Sequence, residues 1–246
     1  KVSGILNGID TNLYNPETDA FITRHYNQDT YAEGKRVCKE ALQHEMGLPV
    51  DPDAPLIGFV GRLADQKGLD ILLPAMKAIE KEKRNVQWVL LGTGDPKMEE
   101  ALKALNNTTK NIRTYIGFNT AMAQKIYAAS DMFAMPSAFE PCGLGQMIAL
   151  RYGSVPVVRG VGGLVDTITD VRLQPHRGNG FKFNEYTAEK MKETALAAVE
   201  AYHNKALWDV LVRRGMAEDH SWHSSAEAYR KLYTRLGSPA IPSGSV

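Results

Sequence analysis

PLIGFVGRLADQKGLDILLPAMKAIEKEK, Pro55–Lys83, decides how this 246-residue chain folds. It opens on a short apolar run, LIGFV, bounded by Pro55 and Gly61, the mark of a strand covered on both faces. After Gly68, apolar residues recur at helical spacing, and the run ends in charge at Glu80–Lys83. A buried strand followed by an amphipathic helix is half of a parallel crossover, because parallel strands need a long connection.

The same alternation continues downstream. VQWVLLG, IRTYIGF, DMFAMPS, VPVVRG and GFKF read as strands. MEEALKALNN, TAMAQKIYAAS, GQMIALRYG and the short GGLVDTITD read as helices between them. Strands alternating with helices imply parallel pairing, hence an α/β doubly wound sheet. Upstream, residues 1–20 are rich in Asn, Asp, Gly and Pro and read as a connector with turns, and a helix is expected over about Tyr31–Met46, ended by Gly47 and Pro49. Residues 21–236 are expected to form the body, with an almost wholly helical tail from about Thr187, and residues 237–246 a frayed end.

Composition narrows the function classes. A net charge of +1 gives no electrostatic reason to expect nucleic acid or a membrane surface. No apolar run approaches the roughly 18–20 residues needed to span a bilayer. The two cysteines, Cys38 and Cys142, stand 104 positions apart, and neither has a Cys or His partner at metal-ligand spacing. No metal site and no disulfide framework is expected, and a reducing compartment is the better reading. The chain begins with Lys1 and opens on VSGILNGID, as expected of a piece of a longer protein.

In open parallel sheets, ligands bind outside the carboxyl ends of the strands. Four such ends carry unusual residues: Gly61-Arg62 with Lys67, Gly92-Thr93-Gly94, Gly117-Phe118-Asn119, and Phe139–Gln146. Arg62 and Lys67 lie five apart on a strand-to-helix loop, where a guanidinium fork and an ammonium point charge would grip a diphosphate. Two solvated surface charges would read the same way. The glycines of GTGD would let a nucleotide approach closely, or would make a plain tight turn. Phe118 would suit a base-stacking platform or a core position. In FEPCGLGQ, Cys142 as a nucleophile would need a basic partner, and the six histidines are scattered. Glu140 followed by Gly143-Leu144-Gly145 is more coherent: a carboxylate for sugar hydroxyls beside backbone N–H groups that would face a phosphate. A Pro-Gly turn with an exposed Glu is the competing reading.

GRLADQKGLD, LGTGD, PSAFEPCGLGQMIALRYGSVPVVRGVGGLVDT and SWHSSAEAYRKLY resemble, in this order, the motifs of bacterial glycogen synthases and plastid starch synthases. The opening VSGILNGIDTNLYNPETD resembles the segment joining the two halves of those enzymes, and the likeness runs from Val2 to about Leu236. KEALQHEMGLPVDPDAPLIGFVGRL resembles plant and algal starch synthases more than bacterial enzymes.

The resemblance implies the C-terminal, donor-binding Rossmann-like domain of a two-domain (GT-B) retaining glycosyltransferase. Such an enzyme moves glucose from ADP-glucose to the non-reducing end of an α-1,4-glucan without a metal ion. An N-terminal domain of the same enzyme supplies the acceptor side. By resemblance, Arg62 and Lys67 bind the diphosphate, and Glu140 contacts glucose hydroxyls. Cys142, Gly143 and Leu144 contribute backbone amides, Phe118 stacks on adenine, and Asn7 reaches the glucose from the hinge. Gly61, Gly92, Thr93 and Gly94 complete the expected nucleotide contacts. Two departures stand out: Ala138 where the family usually has Arg, and Gly145 where Thr or another side chain is usual. At Gly145 only an N–H can reach a phosphate, so weaker donor binding is implied. The compartment implied is the plastid for a plant or algal chain and the cytoplasm for a bacterial one. A UDP-glucose-dependent relative of the sucrose- or trehalose-synthase type, or a binding module without activity, would share the Arg–Lys pair and the Glu.

Overall fold

The computed structural model describes residues 3–237, so nearly all of the expected frayed end at 237–246 lies outside the described residues. Its centre is a six-stranded parallel sheet of β1 (Leu56–Val60), β2 (Gln87–Gly92), β3 (Ile112–Ile116), β4 (Met132–Met135), β5 (Val155–Arg159) and β6 (Phe181–Phe183), in the order β3-β2-β1-β4-β5-β6. Sequence order reverses between β1 and β4, the place where such sheets open a crevice at their carboxyl edge.

Every strand expected from the apolar runs is present, and burial explains why those runs do not alternate. All of Met132–Met135 and all of Gln87–Gly92 are buried, since helices cover both faces. Leu56, Ile57, Phe59, Trp88 and Phe133 are at most 2% exposed, each contributing roughly 1.5–3 kcal/mol by leaving water.

The helices are α1 (Tyr31–Met46), α2 (Leu69–Lys81), α3 (Pro96–Thr108), α4 (Thr120–Ala129), α5 (Gly145–Arg151), α6 (Gly163–Thr167), α7 (Ala188–His203), α8 (Lys205–Met216) and α9 (Trp222–Arg235). Their starts follow from local chemistry. Asp95, Asn119, Thr187, Asn204 and Ser221 each accept a hydrogen bond from an otherwise orphaned first-turn N–H. Gly47, at φ +67°, closes α1, its own N–H donating to the His44 carbonyl and that of Leu48 to Gln43.

The opening segment has no regular structure up to Thr30, yet it is sewn to the body. Ile9 pairs with Ser221 at the start of α9, and Ser225 Oγ donates to the Leu6 carbonyl (2.9 Å). Tyr152 donates to Asp19 (2.5 Å), and Tyr26 donates to the Tyr152 carbonyl (2.9 Å). Beneath it the buried Lys35 ammonium donates to Ala128 O and Tyr152 O, both at 2.9 Å, tying together the C-terminal ends of α4 and α5. Burial lowers the Lys35 pKa to about 7. Among the described residues no helix is long and apolar enough to cross a membrane, and no group of three or more His, Cys, Asp or Glu side chains is placed to hold a metal ion.

Candidate functional site

The carboxyl ends of β1 and β4 face each other across the reversal point. After β1 the chain makes a single 3₁₀ turn, Asp65–Lys67, then Gly68 at φ +72° starts α2. A Cβ on Gly68 would lie 2.0 Å from the Pro136 carbonyl, so glycine is what lets the two strand ends come this close. The approach brings Lys67 Nζ to 2.6 Å from Glu140 Oε2, and Ser137 Oγ donates to the same oxygen at 3.1 Å. Glu140 is 7% exposed and the Lys67 side chain 20%, so this is a sheltered ion pair with one end open. Arg62 is exposed, its Nη2 donating to Gln66 Oε1 (2.9 Å).

The backbone from Ser137 to Gly145 is neither strand nor helix until α5 begins, and its hydrogen bonding is one-sided. Carbonyl oxygens along it are held by protein donors: Ala138 O by Arg159 (2.7 Å), Phe139 O by Gln66 (3.3 Å), Glu140 O by the Gly163 N–H (3.0 Å), and Cys142 O and Gly143 O by Gln146 (3.2 and 3.0 Å). The N–H groups of Phe139, Glu140, Cys142, Gly143, Leu144 and Gly145 have no protein acceptor among the described residues. A turn with tied acceptors and open donors is fitted to receive oxygen atoms of a ligand. GVGGL, after β5, builds this turn. Gly162 and Gly163 lie so near it that a Cβ would fall 1.9 Å from Glu140 O and 2.1 Å from Cys142 O, respectively.

Beside the pair, a cavity of about 450 Å³ opens over the carboxyl ends of β1, β2 and β3. Gly61, Arg62, Gly92, Thr93, Gly117, Phe118 and Asn119 line it, together with Leu13, Tyr14 and Phe21 from the opening segment. Its size and apolar character suit a nucleoside. Phe118 is 88% exposed, a large aromatic left at the cavity wall for a ring to cover.

The structure thus brings Arg62, Lys67, Glu140, Cys142, Gly143, Leu144 and Gly145 to one edge, and Gly61, Gly92, Thr93 and Phe118 to the adjoining cavity. The glycines of GTGD also serve the packing of the strand ends. A Cβ on Gly92 would meet Gly61 O at 2.2 Å, and one on Gly94 would meet Leu63 O at 2.3 Å. Thr93 Oγ1 and the Gly94 N–H both donate to Glu99, at 2.7 and 3.0 Å. Asn7 is exposed on the opening segment, and no hydrogen bond or ion pair joins it to Arg62, Lys67 or Glu140 among the described residues. At Gly145, a Cβ would sit 3.2 Å from the Phe133 ring and 3.3 Å from Met135 Sδ, so core side chains crowd the place a larger residue would take. Gln66, Arg159 and Gln146 escape sequence reading because they act on backbone carbonyls, for which no spacing pattern exists.

Residues 54–201 match the family model of glycosyl transferases group 1. The chain belongs to that family. It is 48% identical over 96% of its length to a glycogen synthase from Bacillus anthracis, and 52% identical over 94% to one from Geotalea daltonii. It spans about half the length of these relatives, 49% and 47%. Among solved structures it superposes on the catalytic domain of starch synthase IV from Arabidopsis thaliana bound to ADP and acarbose. There the TM-score is 0.86 at 38% identity, covering 94% of this chain and 48% of that one. The fold alone is shared with the C-terminal domain of a group 1 glycosyl transferase from Francisella tularensis, at 16% identity and a TM-score of 0.61, covering 90% of this chain and 98% of that one.

Proposed function

We propose that this chain is the donor-binding half of a glucosyltransferase that carries glucose from ADP-glucose to the non-reducing end of an α-1,4-glucan with retention of configuration. The observation that carries the proposal is the Lys67–Glu140 pair beside a turn of open N–H groups, in a chain about half identical to glycogen synthases. The plant structure holding ADP and acarbose, a nucleotide and a glucan-like sugar, supports the same substrates.

In this reading adenosine enters the apolar cavity with its base against Phe118, and the diphosphate lies at the mouth by Arg62 and Lys67. As the bond to glucose breaks, charge grows on the departing phosphate. The two cations stabilise that charge, the electrostatic work a metal ion would otherwise do, so no metal ion is called for. Glu140 turns from Lys67 to the glucose hydroxyls, while the N–H groups of Cys142, Gly143 and Leu144 hold the sugar. Asn7 reaches the glucose only once an N-terminal half closes on this one. Glu140 positions the sugar rather than attacking it, because no second acidic residue holds a comparable position in the motifs to make a glycosidase-type pair. The acceptor is bound by that N-terminal domain, and the connector over residues 3–20 is the hinge. Relatives at 46–52% identity are bacterial, which favours the cytoplasm over the plastid and does not bear out a special likeness to plant and algal enzymes.

Calorimetric titration of the chain with ADP, UDP and ADP-glucose tests the donor assignment. ADP is expected to bind at least tenfold more tightly than UDP, about 1.4 kcal/mol, and Arg62→Ala or Lys67→Ala to weaken it sharply. Equal affinity for UDP would favour the UDP-glucose alternative.

A further inference from the structure

Arg159, the last residue of β5, has no part in the chemistry proposed above, yet its guanidinium is engaged beside it through Nε and Nη1. Nη1 donates to Ala138 O at 2.7 Å and Ser137 O at 3.4 Å, and Nε donates to Asn184 O at 3.1 Å. The guanidinium carbon lies 4.9 Å from the centre of the Tyr186 ring. Tyr186 in turn donates its hydroxyl to Asp70 Oδ1 at 2.5 Å, and Asp70 stands in the first turn of α2, directly after the Lys67–Gly68 turn. Burial, reinforced by this bond, raises the Tyr186 pKa, so the phenol stays a donor across the working range.

We propose that Arg159, Tyr186 and Asp70 form a brace that sets the Ser137–Glu140 backbone against the Lys67 turn, making all three positioning residues for the sugar end of the donor. The brace works on main chain at one end and on a helix start at the other. Ser137 and Ala138 are the residues whose backbone places Glu140, and Ser137 Oγ also touches its carboxylate. A rigid planar fork suits this role, since it bonds carbonyls in its plane and stacks through its face, which an ammonium cannot do at once. Besides the Lys67–Glu140 pair itself, the loop is joined to the Lys67 turn by two contacts, Ala138 N–H to Gln66 O (2.9 Å) and Gln66 Nε2 to Phe139 O. The brace supplies an independent path around them.

The inference rests on the donor-site reading for its ligand but not for its geometry, so two measurements separate them. Amide hydrogen exchange at Ala138, whose N–H donates to Gln66 O across the joint, needs no ligand. Arg159→Met is expected to speed it about tenfold, the effect of losing one charged hydrogen bond. Tyr186→Phe, which keeps the ring under the guanidinium, gives a smaller increase. Titration then compares ADP-glucose with ADP. Arg159→Met is expected to lower affinity for ADP-glucose about tenfold while changing ADP affinity less than threefold, and Arg159→Lys to recover only part of the loss. A variant that unfolds earlier yet keeps both the exchange rates and the ADP-glucose preference would show a merely structural arginine and overturn the proposal. Should the unmutated chain bind neither ligand, the donor reading falls, and unchanged exchange in both variants would sink the brace separately.

Discussion

Consider the Lys67–Glu140 pair cut one partner at a time. Lys67→Met keeps most of the aliphatic stem but leaves a carboxylate that is 7% exposed with Ser137 Oγ as its remaining side-chain donor. Stranding a buried charge costs about 3–5 kcal/mol, and the one-fifth exposure on the lysine side puts this case near 3. For a chain of this length that is a fall of roughly 6–12 °C in Tm. Glu140→Gln strands the more open ammonium, which finds water, so about 1 kcal/mol is expected. The double variant holds no stranded charge and should lie only about 2 kcal/mol below the parent, giving a coupling of roughly 2 kcal/mol. Urea titrations followed by circular dichroism supply all four corners of the cycle. Ligand binding then separates the roles. Lys67→Met should weaken ADP by about 10–100-fold, one charged hydrogen bond's worth. Glu140→Gln should leave ADP unweakened, because ADP has no glucose to hold, while ADP-glucose loses affinity. Additivity within about 0.5 kcal/mol would mean the two groups do not sense each other, and the pairing argument would fail.

Four further outcomes are expected. Gly162→Ala, at φ +49° and aimed at Glu140 O, should cost about 2 kcal/mol or more and impair donor binding, whereas Gly4→Ala, with open space around it, should be silent in a melting curve. Gly145→Thr should lose about 1–2 kcal/mol through crowding against Phe133 and Met135, and should gain ADP affinity in calorimetry only when Met135 is shortened to Val. Lys35 has its folded pKa lowered to about 7 against an unfolded value near 10.4, so the unfolded chain binds more protons between those limits. Stability should therefore rise between pH 7 and 10 by up to about 1.4 kcal/mol per pH unit from this group, and Lys35→Met should flatten that rise in urea titrations. Cys142→Ser should leave ADP affinity nearly unchanged, since its carbonyl rather than its thiol is tied into the turn.

The sheet was legible because burial on both faces imprints an unbroken apolar run, as at Met132–Met135, and the helices because a covered face imprints a period. The 3₁₀ turn at Asp65–Lys67 was not, being three polar residues with no period to show. Leu13, Tyr14 and Phe21 carry no pattern that marks them, two lying in the connector and one just after it. Only the fold reveals that they wall a cavity with Phe118. GTGD shows the limit from the other side: glycine signals close approach but not what approaches, and here much of it is the neighbouring β1 backbone. Lys67 and Glu140 were legible singly, as charges at strand ends, while their contact depends on Gly68 and Pro136 meeting.

Since the turn from Ser137 to Gly145 offers its ligand mainly N–H groups, its side chains at Ala138, Phe139 and Leu144 are free to drift without altering the donors presented. Its glycine neighbours have no such freedom, for at Gly68, Gly162 and Gly163 one methyl group would occupy space already held by main-chain oxygen. A lineage carrying this fold would therefore record its history in the apolar side chains of the turn and stay fixed in the glycines that look empty.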